Sequence, residues 1–243
     1  MAKIGAIHGD KRAPTHGGGR SFTLRRIVMY LSDPQLFTFF FLLRLFRIYT
    51  RLTGTSVNLS TREMKAGGIT RTIRSGQIYF SYKDSTYPER VALGRAMDNI
   101  KDFALRYCIG RGLDIGANDW PLPGATAVDN RPHENAYELD SWSDGSLDFV
   151  FSSHCLEHLE KWQFALALWC CKLKSGGILF LYLPHSSMTL WEPGSPWVGH
   201  DHVWSPTPEL IIPELSAAGM EIIRIDPGPD SYFSFHIIAR RLN

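Results

Sequence analysis

Cysteine is scarce in this sequence and is not arranged to bind metal. The four cysteines lack the paired spacing of zinc sites, and adjacent cysteines on a helix point to different faces. They are Cys108, Cys155, Cys170 and Cys171. We therefore expect reduced thiols in the protein core and a cytoplasmic location.

Long apolar runs, internal repeats and low-complexity tracts are also missing. The most apolar stretch, residues 36–49, contains Arg44 and Arg47 and is shorter than the ~20 residues that a membrane-spanning helix needs. No small-residue cleavage site follows it, which argues against a signal peptide. The 243 residues suffice for one α/β domain with an extension.

The net charge of +2 conceals an uneven distribution along the chain. Residues 1–74 hold thirteen Lys or Arg against three acids, which gives +10, and the remainder holds thirteen bases against twenty-one acids, which gives −8. A basic segment is attracted to nucleic acid, to an anionic membrane or to an acidic protein. The two parts of the chain are therefore expected to have different roles.

Within the basic segment, residues 34–52 predict a helix in which aromatic residues lie beside arginines. Arg44, Arg47 and Arg51 share one helical face, with phenylalanine and leucine on the others. This arrangement suits a helix at a lipid interface. Packing against the rest of the protein, or in an oligomer, is an equally good interpretation. Residues 1 to about 25 predict a flexible tail.

The most informative motif is Gly112-Leu113-Asp114-Ile115-Gly116-Ala117-Asn118, followed by an acid at Asp129. It predicts two buried strands that each end in a carboxylate, the first with a glycine turn. Open α/β sheets bind nucleosides at this carboxyl edge. Glycine lets the backbone approach the ligand there, and an acid accepts hydrogen bonds from ribose hydroxyls. The motif therefore predicts a nucleotide-type cofactor.

Two later segments extend this pattern. Residues 144–158, with the sequence Asp-Gly-Ser-Leu-Asp-Phe-Val-Phe-Ser-Ser-His-Cys-Leu-Glu-His, read as a turn, a strand and a helix start; residues 174–184 read as a glycine turn and a buried strand. In this order the segments resemble the class I S-adenosylmethionine-dependent methyltransferases, in the broad group with an Asp-Gly-Ser-Phe-Asp and Leu-Glu-His signature. The resemblance covers about residue 106 to the C-terminus and implies S-adenosyl-L-methionine as cofactor.

The predicted fold class is α/β, a Rossmann-like, doubly wound, mostly parallel seven-stranded sheet with an antiparallel C-terminal hairpin and a helical N-terminal extension. We place the basic extension at residues 1–86 and the methyltransferase domain at residues 87–243. The predicted strands are 112–115, 125–129, 147–152, 177–183, 220–225 and 231–240, and the predicted helices of the domain are 89–106, 161–172 and 208–218.

The glycine motif departs from the family pattern. Asn118 and Trp120 stand where the family has its second and third glycines, and the following Trp-Pro-Leu-Pro-Gly cannot form an ordinary crossover helix. A phosphate would lose its helix cap here. Because S-adenosylmethionine has no phosphate, the departure suits a methyltransferase better than a dinucleotide-dependent dehydrogenase.

The resemblance implies positions for the cofactor. The glycine motif is expected to line its methionine part, Asp129 to hold the ribose hydroxyls, and Asp140, with Glu138 as the alternative, to meet the adenine amine. Strand-end serines are expected at the same edge. The complete predicted set is Asp114, Gly116, Ala117, Asn118, Asp129, Asn130, Asp140, Ser152 and Ser153.

Histidines are the candidate catalytic residues. Methyl transfer depends mainly on aligning acceptor and methyl group, but a hydroxyl acceptor benefits from a base of near-neutral pKa, which histidine provides. The candidates are His154, His185 and His202, with His200 as an alternative in the same loop as His202.

The segment from His154 to His158 also raises the question of a metal. It matches the His-x-x-Glu-His pattern of one class of zinc peptidases, but it follows a strand and no further ligand signature is visible. Some quinone-pathway methyltransferases are similar in having an acid-x-x-Glu-His metal site here, with His154 in place of the first acid. We predict no metal and keep His154, Glu157 and His158 as the alternative metal site.

We therefore predict an enzyme that transfers a methyl group to a small-molecule, sugar or lipid-linked acceptor, at oxygen. The loop of residues 186–204, rich in Trp and Pro, predicts an acceptor-pocket wall or a contact with the N-terminal extension. The N-terminal helix makes an anionic membrane surface the expected partner; nucleic acid is not expected, and an oligomer is compatible with the sequence. The alternatives are the same fold acting on protein or nucleic acid, and a non-catalytic scaffold.

Overall fold

The computed structural model describes residues 64–66, 68–93, 96–118, 120–195, 197–198 and 201–243. The predicted tail and the predicted helix of residues 34–52 lie outside them. The strands are β1 (Met64–Ala66), β2 (Ile69–Arg74), β3 (Gln77–Tyr82), β4 (Ser85–Pro88), β5 (Gly112–Ile115), β6 (Thr126–Val128), β7 (Glu134–Asn135), β8 (Glu138–Leu139), β9 (Leu147–Ser153), β10 (Leu173–Pro184), β11 (Met220–Asp226) and β12 (Ser234–Arg241). The α-helices are α1 (Ala96–Ala104), α2 (Trp162–Lys172) and α3 (Pro208–Ala217).

The central sheet is mixed and has the strand order β11-β12-β10-β9-β5-β6. Strands β6, β5, β9 and β10 run parallel, whereas β12 pairs antiparallel with both β10 and β11. The predicted α/β class and the antiparallel C-terminal hairpin are confirmed. Each of the six strands predicted for the domain is found, with ends displaced by a few residues.

The predicted seventh strand is absent from this sheet in the described part of the chain. Between β6 and β9 the chain forms only the short hairpin of β7 and β8. Glu138 stabilises this hairpin, because its Oε2 accepts hydrogen bonds from the His133 amide at 3.1 Å and from Asn135 Nδ2 at 2.9 Å. A compact turn thus replaces a further strand at the β6 edge.

Two hydrophobic clusters lie on opposite faces of the central sheet. On β10, Leu179, Leu181 and Leu183 belong to one cluster, with α2 and α3, whereas Phe180 and Tyr182 belong to the other, with α1. Successive side chains on a strand point to opposite faces, so the alternation assigns aliphatic residues to one layer and aromatic residues to the other. Residues 179–184 of β10 are buried, and their side chains pack on both faces of the sheet, as in the central strands of an α/β protein.

Before the domain, β1 to β4 form an antiparallel four-stranded sheet that was not predicted from the sequence. Ile69, Phe80 and Tyr87 of this sheet are buried in the aromatic cluster together with α1. The predicted helix of residues 89–106 is divided into a 3-10 turn at Glu89–Leu93 and the shorter α1. Gly94, a poor helix former, lies between them in the sequence.

None of the helices in the described ranges has the length and apolar character needed to cross a membrane.

Candidate active site

Three strand ends lie side by side at the carboxyl edge of the sheet. Ile115 of β5 pairs with Val128 of β6 on one side and with Ser152 of β9 on the other. The residues that follow, Gly116 and Asp129, therefore leave the sheet next to each other, with the end of β9 beside them. This is the edge at which open α/β sheets bind ligands.

Gly116 is required by the packing of the turn. Its φ of +83° lies in the left-handed region, and a Cβ built there would lie 2.5 Å from the Cβ of Cys155. The Gly116 amide donates to the Val128 carbonyl at 2.9 Å. Only glycine lets the end of β5 pass so close to the segment after β9.

Asn118 has a backbone conformation that glycine adopts readily. Its φ is +51°, in the left-handed region that asparagine tolerates better than most residues. The missing glycine of the family pattern is therefore replaced by a residue that preserves the turn.

Asp114 and Ser152 make hydrogen bonds inside the protein. Asp114 is buried, and its Oδ2 accepts from the Leu122 amide at 2.7 Å. Burial raises the pKa of Asp114 to about 7, although this hydrogen bond opposes the shift. The Ser152 hydroxyl donates to the Ile115 carbonyl at 2.9 Å. These two side chains position the proline-containing loop and the end of β5.

Asp129, Asn130 and Asp140 are exposed on the outer side of this edge. The Asn130 amide donates to Asp129 Oδ1 at 2.8 Å, which fixes the carboxylate directly after β6. Asp140 follows the β7–β8 hairpin, with its Oδ2 3.4 Å from His133 Nδ1. Ala117 is buried and Ser153 is half-buried, with a hydroxyl that has no hydrogen-bond partner.

Three histidines surround one buried carboxylate next to the end of β9. Oε1 of Glu157 lies 3.5 Å from His154 Nδ1, 3.8 Å from His158 Nε2 and 3.9 Å from His202 Nε2. Glu157 is fully buried, and burial raises its pKa to about 7 against the opposing charge of His158. We call these four residues the histidine cluster. Of the predicted catalytic residues, it contains His154 and His202.

His154 has a strained backbone and an aromatic environment. Its φ is +50°, and its amide donates to the Tyr182 carbonyl at 2.8 Å. The ring lies edge-on to Trp191 at 4.9 Å, and its Nε2 is 2.8 Å from the Ser234 hydroxyl. Burial, with smaller contributions from His202 and His158, holds the pKa of His154 well below its usual range. The imidazole is therefore neutral at physiological pH.

His202 is also buried, and its Nδ1 lies 2.7 Å from the Trp191 carbonyl. Burial lowers the pKa of His202 to about 3, with His158 adding to the effect. His202 lies 45 positions after Glu157 in the sequence, so no local spacing could have predicted their contact. The fold brings them together because the chain returns to this edge after β10.

The third predicted base, His185, lies apart from the cluster. The Ser187 amide donates to His185 Nδ1 at 3.1 Å, so the neutral ring carries its proton on Nε2 and presents a donor there. The alternative candidate His200 lies outside the described residues.

The loop after β10 contacts the sheet formed by β1 to β4. Trp197 packs edge-on against Phe80 at 4.9 Å, and Lys83 forms an ion pair with Glu192 at 2.7 Å. The Tyr87 hydroxyl donates to the Ser187 carbonyl at 2.9 Å. A contact with the N-terminal extension was one of the two roles predicted for this loop. Two tyrosines that the sequence did not indicate, Tyr182 and Tyr232, also have rings facing His154.

Comparison with known proteins agrees with this geometry. Residues 103–181 match the family model described as a methyltransferase domain. No curated protein sequence matches the chain. The matched residues include the glycine turn, Asp129 and the segment from Ser153 to His158.

Two solved structures are distantly similar. A Thermotoga maritima S-adenosylmethionine-dependent methyltransferase, described as a possible histamine N-methyltransferase, is 14% identical with a TM-score of 0.48, over 63% of this chain and 92% of its own. The 1,6-didemethyltoxoflavin-N1-methyltransferase of Burkholderia thailandensis was crystallised with 1,6-didemethyltoxoflavin and S-adenosylhomocysteine. It is 16% identical to this chain with a TM-score of 0.46, and the similarity covers 70% of this chain and 98% of that enzyme.

Neither of these distant structures identifies an acceptor or a partner of this chain. The matched domain is consistent with the chain's own sheet and glycine turn. The match of residues 103–181 to a methyltransferase domain supports a class I S-adenosylmethionine-dependent methyltransferase, with S-adenosylmethionine as the cofactor.

Proposed function

We propose that this enzyme methylates a hydroxyl oxygen of a small-molecule, sugar or lipid-linked acceptor. The observation that carries the proposal is the position of His154, a neutral imidazole directly after β9 at the ligand-binding edge. A hydroxyl is a weak nucleophile until its proton is removed, and histidine is the side chain most often used for that step.

The surroundings of His154 suit a small organic acceptor. The rings of Trp191, Tyr182 and Tyr232 lie 4.9, 5.5 and 6.0 Å from its imidazole. Small-molecule sites combine aromatic walls with a few polar groups. In the proposed reaction the acceptor hydroxyl takes the place of the Ser234 hydroxyl beside Nε2 of His154 and gives its proton to that nitrogen. The oxygen–carbon bond forms as the sulfur–carbon bond breaks, and the products are a methyl ether and S-adenosylhomocysteine.

The acceptor proposal is tested with labelled S-adenosylmethionine and separate panels of hydroxylated small molecules, sugars, lipid-linked sugars, proteins and RNA. Label on a small hydroxylated acceptor is the expected result. His154→Gln should lower kcat by ~100-fold or more, the usual contribution of a general base, whereas the matched variant His185→Gln should change it little. Label confined to protein or RNA, or an unimpaired His154→Gln enzyme, would contradict the proposal.

We also propose that Asp129 binds the ribose hydroxyls of the cofactor, because it is exposed at the end of β6 beside Gly116. Calorimetry with S-adenosylhomocysteine measures this directly. Asp129→Asn should weaken binding by ~10-fold or more, since hydrogen bonds to a charged group contribute about 1.5–3 kcal/mol. Asp144→Asn is the matched control, because that exposed carboxylate pairs with Lys172 instead. Equal affinities of the two variants for S-adenosylhomocysteine would contradict a contact between Asp129 and the ribose.

We propose a cytoplasmic protein that binds an anionic membrane surface peripherally through the predicted helix of residues 34–52. The aromatic residues and arginines of that segment support the proposal. A surface-bound enzyme is well placed to reach a lipid-linked acceptor.

A further inference from the structure

The buried carboxylate of Glu157 has no hydrogen-bond donor from another residue. Glu157 is fully buried, and both of its carboxylate oxygens lack a hydrogen-bond partner. An isolated buried carboxylate is costly, because it loses its hydration without replacement. Buried charges are normally paired or bound to a metal. The groups nearest to Oε1 are histidine nitrogens, so their protonation decides whether they can compensate it.

Two of those histidines are held with their proton on the far side of the ring. His158 Nδ1 lies 2.6 Å from the Asp201 carbonyl, and His202 Nδ1 lies 2.7 Å from the Trp191 carbonyl. A carbonyl oxygen only accepts, so each Nδ1 must donate its hydrogen. In the neutral rings, both Nε2 lone pairs then point into the space beside Glu157.

His158 and His202 therefore present acceptors, and no donor, to the carboxylate. Oε1 of Glu157 lies 3.8 Å from His158 Nε2 and 3.9 Å from His202 Nε2. One ligand atom from each of the three residues falls within 4.8 Å of the other two. A proton on Glu157 would satisfy a single acceptor, whereas a cation at the centre would satisfy all three.

We propose that Glu157, His158 and His202 form a binding site for a divalent transition-metal ion of the zinc class. Two imidazole nitrogens and one carboxylate oxygen are a ligand set typical of zinc. Tetrahedral ligands at zinc bond lengths stand about 3.3 Å apart, so the three side chains, whose ligand atoms lie within 4.8 Å of one another, would move closer together around the ion. The Nδ1–H bonds to backbone carbonyls are also the outer contacts that orient metal-binding histidines.

This site differs from the metal hypothesis drawn from the sequence. His154 is not one of the three ligands, although its Nδ1 lies 3.5 Å from Oε1 of Glu157. Its place is taken by His202, which is distant in sequence. The site also replaces our expectation that the protein binds no metal.

One of the three proposed ligands is open to solvent. His158 is 40% exposed and lines an open groove of about 510 Å³, together with Tyr137, Lys161, Phe164 and other residues. Three protein ligands with one open position are typical of zinc sites that bind water or substrate. Metal binding itself does not depend on the proposed acceptor.

The test is zinc binding by the purified full-length chain after treatment with a chelator. Zinc chloride alone is titrated calorimetrically, and the metal content of the dialysed protein is measured by mass spectrometry. We expect one tightly bound ion per chain and a rise in Tm on its addition. Cobalt in place of zinc should give the visible absorption of a tetrahedral site.

Variants assign the ligands. Glu157→Gln, His158→Gln and His202→Gln should each weaken zinc binding by ~100-fold, since each removes one of three protein ligands. His185→Gln and Cys171→Ser are controls for other histidines and for the exposed cysteine, and should bind like the wild type. Circular dichroism identifies variants that fail to fold. Because His158 is half-exposed, His158→Gln is the variant expected to disturb folding least.

Two results would overturn the proposal. One is the lack of stoichiometric zinc binding by the wild type at micromolar concentrations. The other is a folded His158→Gln variant that binds zinc as tightly as the controls. Neither result bears on S-adenosylhomocysteine affinity or on the acceptor, so failure of the metal site and failure of the proposed function remain distinguishable.

Discussion

At Asn118 one residue preserves a turn that the family usually builds with glycine. The positive φ of +51° costs most L-residues about 1–2 kcal/mol, and the cost is smaller for asparagine than for β-branched or bulky residues. Gly116, by contrast, has no substitute, because Cys155 occupies the space where a side chain would be. The two positions look equivalent in the motif but differ in tolerance.

This difference predicts the stability of two variants at Asn118. Asn118→Ala should unfold more easily than Asn118→Gly by ~1 kcal/mol, because alanine is strained at positive φ and glycine is not. Urea denaturation of the two variants and the wild type measures the difference. Equal free energies of unfolding would show that the turn relaxes to another conformation.

Asp114 makes stability depend on pH. Its pKa rises from the ordinary aspartate value of 3.8 to about 7 in the fold, so between these values the unfolded chain releases a proton that the folded chain retains. Stability should therefore fall as pH rises, by up to ~1.4 kcal/mol per pH unit from this group. Asp114→Asn should remove that slope while its amide oxygen still accepts the Leu122 hydrogen bond.

The matched control for this titration is Asp148, which has the opposite behaviour. Its bond from Lys174 and the amide of Arg111 hold the pKa of Asp148 below its usual range. Asp148 therefore adds stability above its unfolded pKa, and that stability is lost as pH falls. Above about pH 4 the contribution of Asp148 is constant, so Asp148→Asn should leave the pH dependence of unfolding between pH 4 and 7 unchanged, whereas Asp114→Asn should remove the fall in stability. A slope that Asp114→Asn leaves unchanged would refute the assignment for Asp114.

At the scale of elements, β4 forms hydrogen bonds that hold the loop after β10 in place. Tyr87 is buried, its hydroxyl donates to the Ser187 carbonyl, and it accepts from the Thr189 amide, both at 2.9 Å. The same loop carries Trp191, which faces His154. The small N-terminal sheet thus contributes indirectly to the candidate acceptor site.

Tyr87→Phe is expected to destabilise the protein by about 1–3 kcal/mol, because it leaves the half-buried Thr189 amide and Ser187 carbonyl without their partner. Tyr79→Phe is the control: its hydroxyl bonds to Gln77 near the surface, and such changes are usually within about 0.5 kcal/mol. Chemical denaturation measures both. Similar small effects at both positions would mean that the loop is held without Tyr87.

At the scale of the whole molecule, the charge asymmetry suggests a division between attachment and catalysis. The basic residues concentrate in residues 1–74, and β4 ends at Pro88, close to the proposed boundary between the extension (1–86) and the domain (87–243). A basic, aromatic segment and an acidic domain would orient the enzyme on an anionic surface.

Vesicle sedimentation tests this arrangement. The full chain should co-sediment with anionic vesicles, and replacing Phe39, Phe40 and Phe41 by Ser should weaken binding by ~10-fold or more, because buried aromatic area drives interfacial binding. Phe164→Ser is the matched control, since Phe164 is an exposed phenylalanine on α2. Binding that is absent, or unchanged in the triple variant, would favour a packed or oligomer-forming helix.

The sequence determined the domain's strands and the glycine turn, because these depend on local patterns. The apolar runs at Gly112–Ile115 and Leu147–Ser153 and their flanking turns are readable without a partner. It could not define β1 to β4 or the loss of the seventh strand, because short strands are stabilised by their neighbours rather than by their own residues.

Only the tertiary structure decided which histidines act together. His154, His185 and His202 were equivalent candidates by sequence, yet His185 bonds to Ser187 while His202 returns across 45 positions to Glu157. Burial of one carboxylate and the direction of two Nδ1–H bonds then determine the electrostatics of the cluster. Such properties arise from contacts between distant segments, for which a single sequence has no local signal.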